Sequence, residues 1–373
     1  MKQSKWNDLG VTTSLLGFGC MRFPKTSEGK IDEEQSAAML QAARDAGVNY
    51  FDTAWFYHDG ESENFLGRFL QRWPRDSYYL TTKMPCLENM TLERAKEVFE
   101  TQCSKLQTDH FDFYMLHAMS GSRYQLFKDL GIVDYCQQLK EQGRIKYLGF
   151  SFHDDYNAFE TILNDRDWDF CQIQYNYMDT DVQAGDRGYE LCVQKNVPVI
   201  VMEPVKGGTL AILPDEAAAP LKALRPDDSM ARWALRWVGS HPNVKMILSG
   251  MSSMAQVQDN LATFAEFEPL TEAETAALQQ AKAILLSRVR NGCTGCRYCM
   301  PCPAGVDIPG TFSVWNNYGM YQNPEDARRR WNWLDKEEQP INCVQCGKCE
   351  GVCPQQLPIR AQLAQAQVEL SAL

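Results

Sequence analysis

Residues 1–270 follow a two-part rhythm: a short apolar run, then a longer stretch in which apolar positions recur every three or four residues. The apolar runs are LLGFG (15–19), VNYFD (48–52), YYLTTK (78–83), FDFYMLH (111–117), IKYLGFS (145–151), FCQIQ (170–174), VPVIVM (197–202) and VKMILSG (244–250). Their length and their β-branched and aromatic content predict strands. Amphipathic stretches at 32–47, 61–73, 91–106, 131–143, 155–165, 186–196, 227–240 and 253–266 predict helices. Several open on an acidic or hydroxyl residue and close near Gly or Asn, as capping favours. Strand–helix alternation calls for a parallel sheet, and eight such units call for its closure into a (β/α)8 TIM barrel. An open doubly wound sheet is the alternative, but no Gly-x-Gly-x-x-Gly follows the first strand. GFGCMR (17–22) has a different spacing and does not open a helix.

Length adds a second part. A barrel takes about 250 residues, and the chain has 373. The expected division is a barrel over 1–288 and a small module over 289–373. Hydrophobic content of 44% with 23% charged residues suits a globular chain. No apolar run is long enough to span a bilayer, and the opening MKQSKWNDLG has no signal-peptide core, which predicts a cytoplasmic location. A net charge of −11 argues against nucleic acid or an anionic membrane as the main partner. The one basic run, Arg328 to Arg330, reads as a solvated helix face.

Cysteine divides the chain. Six of the 14 fall in residues 1–292 and eight in 293–373. In a reducing compartment such a cluster points to metal or redox chemistry, not to disulfides. The six scattered cysteines read as small apolar residues.

In a βα barrel, chemistry sits where strands end. The second strand ends at Asp52 and its loop carries Tyr57; the third ends at Lys83 and the fourth at His117. Singly these read as a helix cap, a half-buried phenol and two solvated rim residues. Together they suit proton donation to a carbonyl. A free phenol, with pKa about 10, is a weak acid at neutral pH. A neighbouring ammonium is expected to lower it, and a carboxylate to hold that ammonium in place. The imidazole can orient the substrate oxygen. The group lacks a nucleophile or a metal, so hydride from a bound nicotinamide is its natural complement.

Over roughly residues 1–290 the sequence resembles the aldo-keto reductase superfamily. The segments that carry the resemblance are LGFGCMRF, NYFDTAWFYHDGESENFLG, LTTK, DFYMLH, IKYLGFS, CQIQYNYM and SGMSSMAQVQDNL. The resemblance implies Tyr57 as general acid, Lys83 salt-bridged to Asp52, and His117 as substrate orienter. It implies a nicotinamide carboxamide against Ser151 and Gln172, with Met21 and the segment Met202, Glu203, Pro204, Val205 and Gly207 along the cofactor. The adenosine end is expected on Gly250, Ser252, Gln256, Asp259 and Asn260. NADP is the implied cofactor, with NAD left open, because basic residues that grip a 2′-phosphate are not evident over 249–260. The sequence departs from the family at Phe152, where many members have Asn, and at Met202 and Glu203, where an aromatic residue and Ser are common.

The tail holds Cys343-x2-Cys346-x2-Cys349-x3-Cys353-Pro, the bacterial ferredoxin run for a [4Fe–4S] cluster. The earlier run, Cys293-x2-Cys296-x2-Cys299-x2-Cys302-Pro, is one residue shorter before its last Cys. In two-cluster ferredoxins the fourth Cys of each run ligates the other cluster. The expected sets are therefore Cys293, Cys296, Cys299 and Cys353 for one cluster, and Cys343, Cys346, Cys349 and Cys302 for the second. Structural zinc is the alternative for paired Cys-x2-Cys units. Residues 304–342 read as largely helical, with Asn323-Pro324 as a helix start, and resemble the α-helical ferredoxin type.

The joint expectation is an NAD(P)H-dependent oxidoreductase acting on a small-molecule carbonyl or alcohol. Nicotinamide moves two electrons at once and a cluster moves one. The clusters are thus either structural or in exchange with a flavoprotein or ferredoxin partner. A nicotinamide-binding redox sensor or scaffold with little turnover is the other reading; the departures at 152, 202 and 203 motivate it and the intact tetrad opposes it.

Overall fold

Ahead of the first expected strand, the chain makes a hairpin that its pattern did not announce. In the computed structural model, which describes residues 1–6 and 9–373, β1 (Gln3–Trp6) pairs antiparallel with β2 (Val11–Ser14). Alternation explains it: Trp6 and Val11 point inward and are buried, and Trp6 Nε1 donates to Thr13 Oγ1 at 2.9 Å. Two strands of four residues are too short to stand out in a sequence.

The eight expected strands form β3 (Leu16–Gly19), β4 (Tyr50–Asp52), β5 (Tyr79–Met84), β6 (Phe111–Met119), β7 (Ile145–Phe152), β8 (Phe170–Gln174), β9 (Val199–Met202) and β10 (Val244–Ser249). All pair in parallel, in the order β10-β3-β4-β5-β6-β7-β8-β9, and β9 pairs with β10 to close the barrel. Trp6 packs with Tyr50, Phe113, Met115, Phe170, Ile200 and Met246 into one buried cluster. The hairpin thus seals the barrel interior with an aromatic plug, and Trp6 meets Phe113 at a ring separation of 5.0 Å.

The helices around the barrel are α1 (Glu33–Asp45), α2 (Glu61–Leu70), α3 (Leu92–Leu106), α4 (Gly121–Asp129), α5 (Ile132–Glu141), α6 (Tyr156–Asp165) and α7 (Gly185–Gln194). After β9 come α8 (Asp215–Leu224) and α9 (Met230–Gly239), and after β10 comes α10 (Met254–Ala265). The expected starts hold where a side chain caps: Asp32, Thr91, Asp155 and Ser253 each accept from a backbone N–H of the first turn. Two helices escaped the pattern. α4 shows little segregation of apolar from polar positions, and α8 carries Pro220 in its interior, a residue that argues against a helix.

The chain divides into two compact units, residues 1–207 with 231–270, and residues 208–230 with 271–373. The second contains α8 together with α11 (Glu272–Ser287), α12 (Ile308–Tyr321), α13 (Pro324–Trp331), α14 (Lys348–Gly351) and α15 (Ile359–Ser371). Asn323 caps α13, as expected, with Pro324 at its first position. Val306, Ile308, Phe312, Trp315, Trp331, Ile359 and Leu363 form its core, and six of the eight clustered cysteines pack against that core. Local partners absorb the basic run: Arg329 and Arg330 pair with Asp326, and Arg328 donates to the carbonyl of Leu373. No helix among the described residues is long and apolar enough to cross a membrane.

Candidate active site and cysteine cavities

Asp52 is the last residue of β4, and Lys83 lies one residue before the end of β5. Both are buried, at 2% and 0% exposure. Lys83 Nζ donates to Asp52 Oδ1 at 2.7 Å, to the Thr53 carbonyl at 2.7 Å and to Tyr57 OH at 3.3 Å. One ammonium is thereby fixed by three oxygens. Tyr57 reaches it because the next three residues, His58, Asp59 and Gly60, all take positive φ (52°, 57° and 90°). This sharp left-handed turn returns the chain into α2 and leaves the phenol over the rim.

His117 belongs to β6 at an irregularity. The β6–β7 register shifts between Leu116 and Met119, and Ala118 has φ 53°. Such a bulge re-aims a side chain. The bulge is pinned: Ala118 N–H donates to Ser151 Oγ at 2.7 Å, and Arg123 Nη1 donates to the Ala118 carbonyl at 2.9 Å. The His117 and Tyr57 rings stand 6.1 Å apart and nearly perpendicular, at 83°.

Electrostatics sharpen the roles and correct one expectation. Burial pushes the Tyr57 phenol above its ordinary range; Lys83 pulls it down but is outweighed. The expected net lowering by the ammonium is therefore not found, because desolvating a phenolate is the larger effect. Burial also opposes the charge on Lys83, yet Asp52 and Tyr57 outweigh it and hold the ammonium above its usual range. Burial pushes Asp52 up while Lys83 opposes. His117 is held down at about 3, first by burial and then by Lys83, His153 and Arg123. At neutral pH the site thus holds a protonated phenol, an ammonium and a neutral imidazole.

Behind Lys83 lies a buried polar network that the sequence reading missed. Gln102 Nε2 donates to the Lys83 carbonyl at 2.9 Å and to Glu63 Oε1 at 2.8 Å, Thr82 Oγ1 donates to Glu63 Oε1 at 2.7 Å, and Tyr114 OH donates to Gln102 Oε1 at 2.6 Å. The GESENFLG segment contained the signal: an acidic residue, Glu63, among the buried positions of α2 beside Phe65, Leu66 and Phe69.

The expected cofactor residues fall into three groups. Ser151 and Gln172 are register partners on β7 and β8. The Ser151 hydroxyl already accepts from Ala118, whereas Gln172 donates through Nε2 to Met202 Sδ at 3.2 Å and keeps Oε1 buried without a partner. Met202 ends β9, Glu203 follows at φ 57°, Pro204 is buried, Val205 is half-buried, and Gly207 has φ 64°. Met21 is 55% exposed after β3. At the start of α10, Gln256 Oε1 accepts from Ser252 N–H at 2.7 Å, and Asn260 Nδ2 donates to Ser249 Oγ at 2.9 Å. Gln256 and Asn260 therefore brace the loop that follows β10. Asp259 is half-buried, 3.9 Å from Arg232, and Gly250 is exposed.

The eight clustered thiols are unbridged and line two cavities. Cys302, Cys343, Cys346 and Cys349 line one, beside Tyr298, Val344 and Val352. Cys293, Cys296 and Cys353 line the second, beside Phe312 and Leu357, and Cys299 lines both. α12 anchors the first run: Asn316 Oδ1 accepts from the backbone N–H of Arg290 and Asn291, and Asn291 Oδ1 accepts from Cys293 N–H, all at 2.9 Å. Among the described residues no three of His, Cys, Asp and Glu converge on a single-ion position.

A closed (β/α)8 barrel that gathers Asp, Tyr, Lys and His at the ends of adjacent strands defines a class of barrel oxidoreductases. The chain belongs to the aldo/keto reductase family, whose model matches residues 15–283. Residues 292–357 match a 4Fe-4S dicluster domain. L-galactose dehydrogenase of Arabidopsis thaliana is 26% identical over 298 residues, covering 74% of this chain and 92% of that protein. NADH-specific methylglyoxal reductase of Escherichia coli is 23% identical over 308 residues, covering 70% and 93%. The holo-form structure of an aldo-keto reductase from Bacillus halodurans superposes with a TM-score of 0.62 at 27% identity, over 75% of this chain and 96% of that one. The protein is an oxidoreductase of this family that carries a 4Fe-4S dicluster domain.

Proposed function

We propose that the protein is an NAD(P)H-dependent carbonyl reductase in which Tyr57 donates the proton, and that its second unit holds two [4Fe–4S] clusters. The observation that carries the first part is Lys83 Nζ bonded at once to Asp52, Thr53 and Tyr57. When bound, the dihydronicotinamide supplies hydride to the carbonyl carbon. Tyr57 OH gives its proton to the carbonyl oxygen as negative charge develops there, and Lys83 stabilises the phenolate left behind. Asp52 keeps Lys83 charged and fixed. His117, neutral and without a hydrogen bond to the protein among the described residues, is free to donate to the same oxygen and orient it. The residues fit a nicotinamide: the unpartnered, buried Gln172 Oε1 is an acceptor suited to a carboxamide NH2. Met21, Ser151, the 202–207 segment and the Gly250–Asn260 segment are the remaining contacts in this reading. NADP is the first expectation and NAD the second; the E. coli relative is named NADH-specific.

For the clusters, the donor chemistry fits. Each cavity is lined by thiols from both runs, which supports the crossed sets Cys293, Cys296, Cys299, Cys353 and Cys302, Cys343, Cys346, Cys349. The functional division that follows is 1–288 for hydride chemistry and 289–373 for the clusters. Cys296 and Cys346 are exposed, as are Tyr298, Val344 and Val352 beside the thiols. An exposed cluster edge favours electron exchange with a flavoprotein or ferredoxin over a purely structural role. The substrate is a small carbonyl compound, in a cytoplasmic setting.

The test is deuteride transfer from labelled NADPH and NADH to a panel of aldehydes and quinones, with anaerobic iron and sulfide analysis of the same preparation. Transfer by the wild type, its loss in Tyr57→Phe, and about eight irons per chain support the reading. Unchanged turnover in Tyr57→Phe sinks the proton-donor assignment. Firm cofactor binding without turnover favours the sensor, and colourless protein containing zinc removes the clusters.

A further inference from the structure

The turn that presents Tyr57 is fastened by the residue that follows it. The backbone N–H of Phe23, in the loop after β3, donates to His58 Nε2 at 3.1 Å. A ring nitrogen that accepts carries no proton, so the imidazole is neutral with its hydrogen on Nδ1. That Nδ1 is buried and has no hydrogen-bond partner among the described residues. Burial, and then Lys25, hold the ring below the ordinary histidine pKa, with Asp59 opposing. The accepting form therefore prevails at neutral pH, and the bond to Phe23 is the one that fixes the ring.

Phe23 is a firm anchor. Its ring is buried, packs against Phe18 at 5.9 Å and Phe65 at 5.2 Å, and faces the His58 ring at 5.8 Å. Phe18 belongs to β3 and Phe65 to α2, so the anchor rests on a barrel strand and on the helix that follows the turn. The turn itself is strained. His58 and Asp59 are consecutive non-glycine residues at φ 52° and 57°, a conformation that persists only where its surroundings over-determine it. Backbone strain beside an unsatisfied buried donor marks a segment held for position at some cost in stability.

We propose that His58 is a positioning residue for proton donation: by accepting from Phe23 N–H it holds the left-handed turn and keeps Tyr57 OH beside Lys83; this rests on the reading of Tyr57 as the proton donor. Tyr57 OH lies 3.3 Å from Lys83 Nζ, at the outer limit of a hydrogen bond, so a small relaxation of the turn breaks that contact. Without the His58 bond the turn relaxes, while Phe23 stays packed between Phe18 and Phe65. The phenol then moves and the loop after β3 does not. A displacement of about 1 Å in a reacting group costs about 10²-fold in rate. What matters is an acceptor at the place of Nε2, not the imidazole as such.

The experiment compares His58→Asn with His58→Gln in full-length, anaerobically purified holoprotein. Asn suits positive φ, but its side-chain oxygen stops near the place of Nδ1, short of Phe23. Gln suits that backbone less well, yet its oxygen reaches the place of Nε2. Turnover is followed as NADPH oxidation with nitrobenzaldehyde and phenanthrenequinone as probes. His58→Asn is expected to lower kcat by about tenfold or more, with KM for the probes and Kd for NADPH changed less than about twofold. His58→Gln restores kcat to within about threefold of wild type, the scale of one imperfect hydrogen bond. Amide exchange in the peptide around Phe23 is faster than in wild type for the Asn variant alone. An Asn variant as active as the Gln variant, or more active, overturns the proposal, because the acceptor at Nε2 then does not matter. Tyr57→Phe is run beside them. If the wild type reduces neither probe, or Tyr57→Phe matches it, the proton-donor reading fails first and this role of His58 falls with it.

Discussion

Lys83 finds three oxygens of its own chain within 3.3 Å, whereas the eight thiols between Cys293 and Cys353 line their cavities unbridged. The barrel site is assembled by protein contacts alone. Its charges are neutralised internally and its polar second layer is buried and hydrogen-bonded, so the geometry stands ready before any ligand arrives. The cysteine region is built the other way. Short loops display thiols around cavities with apolar backing, and α12, α13 and α15, with Val306, supply the core. In such a region the bound group contributes to folding itself. Two contrasting regions thus sit in one chain: a preorganised pocket, and a thiol-lined scaffold that matches a 4Fe-4S dicluster domain.

Each side of that contrast can be broken separately. The largest effect is expected from Tyr57→Phe, which should lower turnover by about 10²–10⁴-fold while iron content stays unchanged. A steady-state assay with parallel iron analysis reads both. Lys83→Met should match that loss and also lower stability by about 3–5 kcal/mol, because a buried Asp52 is left uncompensated; denaturant unfolding measures it. Removing iron with a chelator should expose 289–373 to protease while a fragment near 1–288 resists. Equal sensitivity of both regions would erase the contrast.

A smaller effect comes from single ligands. Cys346→Ser should lower iron toward half, about four of about eight, and leave nicotinamide-driven turnover within about twofold. A collapse of turnover would show that the barrel depends on the clusters after all. On pH, the signs follow from the site. His117 titrates at about 3, so it stays neutral across pH 5–8 and produces no limb there. Proton donation is retained below the raised Tyr57 pKa and lost as pH rises through it. An inflection near pH 6.5 that His117→Gln abolishes would refute this. Smallest of all, Gln172→Ala should raise the dinucleotide Kd by about fivefold, roughly one hydrogen bond, without unfolding the barrel.

Much of the architecture was legible because it is local. FCQIQ at 170–174 is β8, and the other runs match their strands to within about two residues. Asp52, Lys83 and His117 could be placed at one rim because their positions at strand ends follow from the alternation. The dicluster domain was legible in the spacing of its two cysteine runs. Legibility failed where neighbours in space decide the outcome. The β1–β2 hairpin earns its place only by covering the barrel interior with Trp6. α8 tolerates Pro220, and the bulge at Ala118 that aims His117 is held by Ser151 and Arg123 from other elements.

The sequence by itself determined the barrel, the identity of the four rim residues and the grouping of eight cysteines. Each is written in periodicity or in spacing along the chain, which short-range geometry converts directly into structure. Only the tertiary structure decided the direction of the Tyr57 shift, the buried Glu63–Gln102 brace behind Lys83, and the pinning of the Ala118 bulge by Ser151. Those depend on desolvation and on contacts between residues from 19 to 39 positions apart, and one-dimensional spacing carries no record of either.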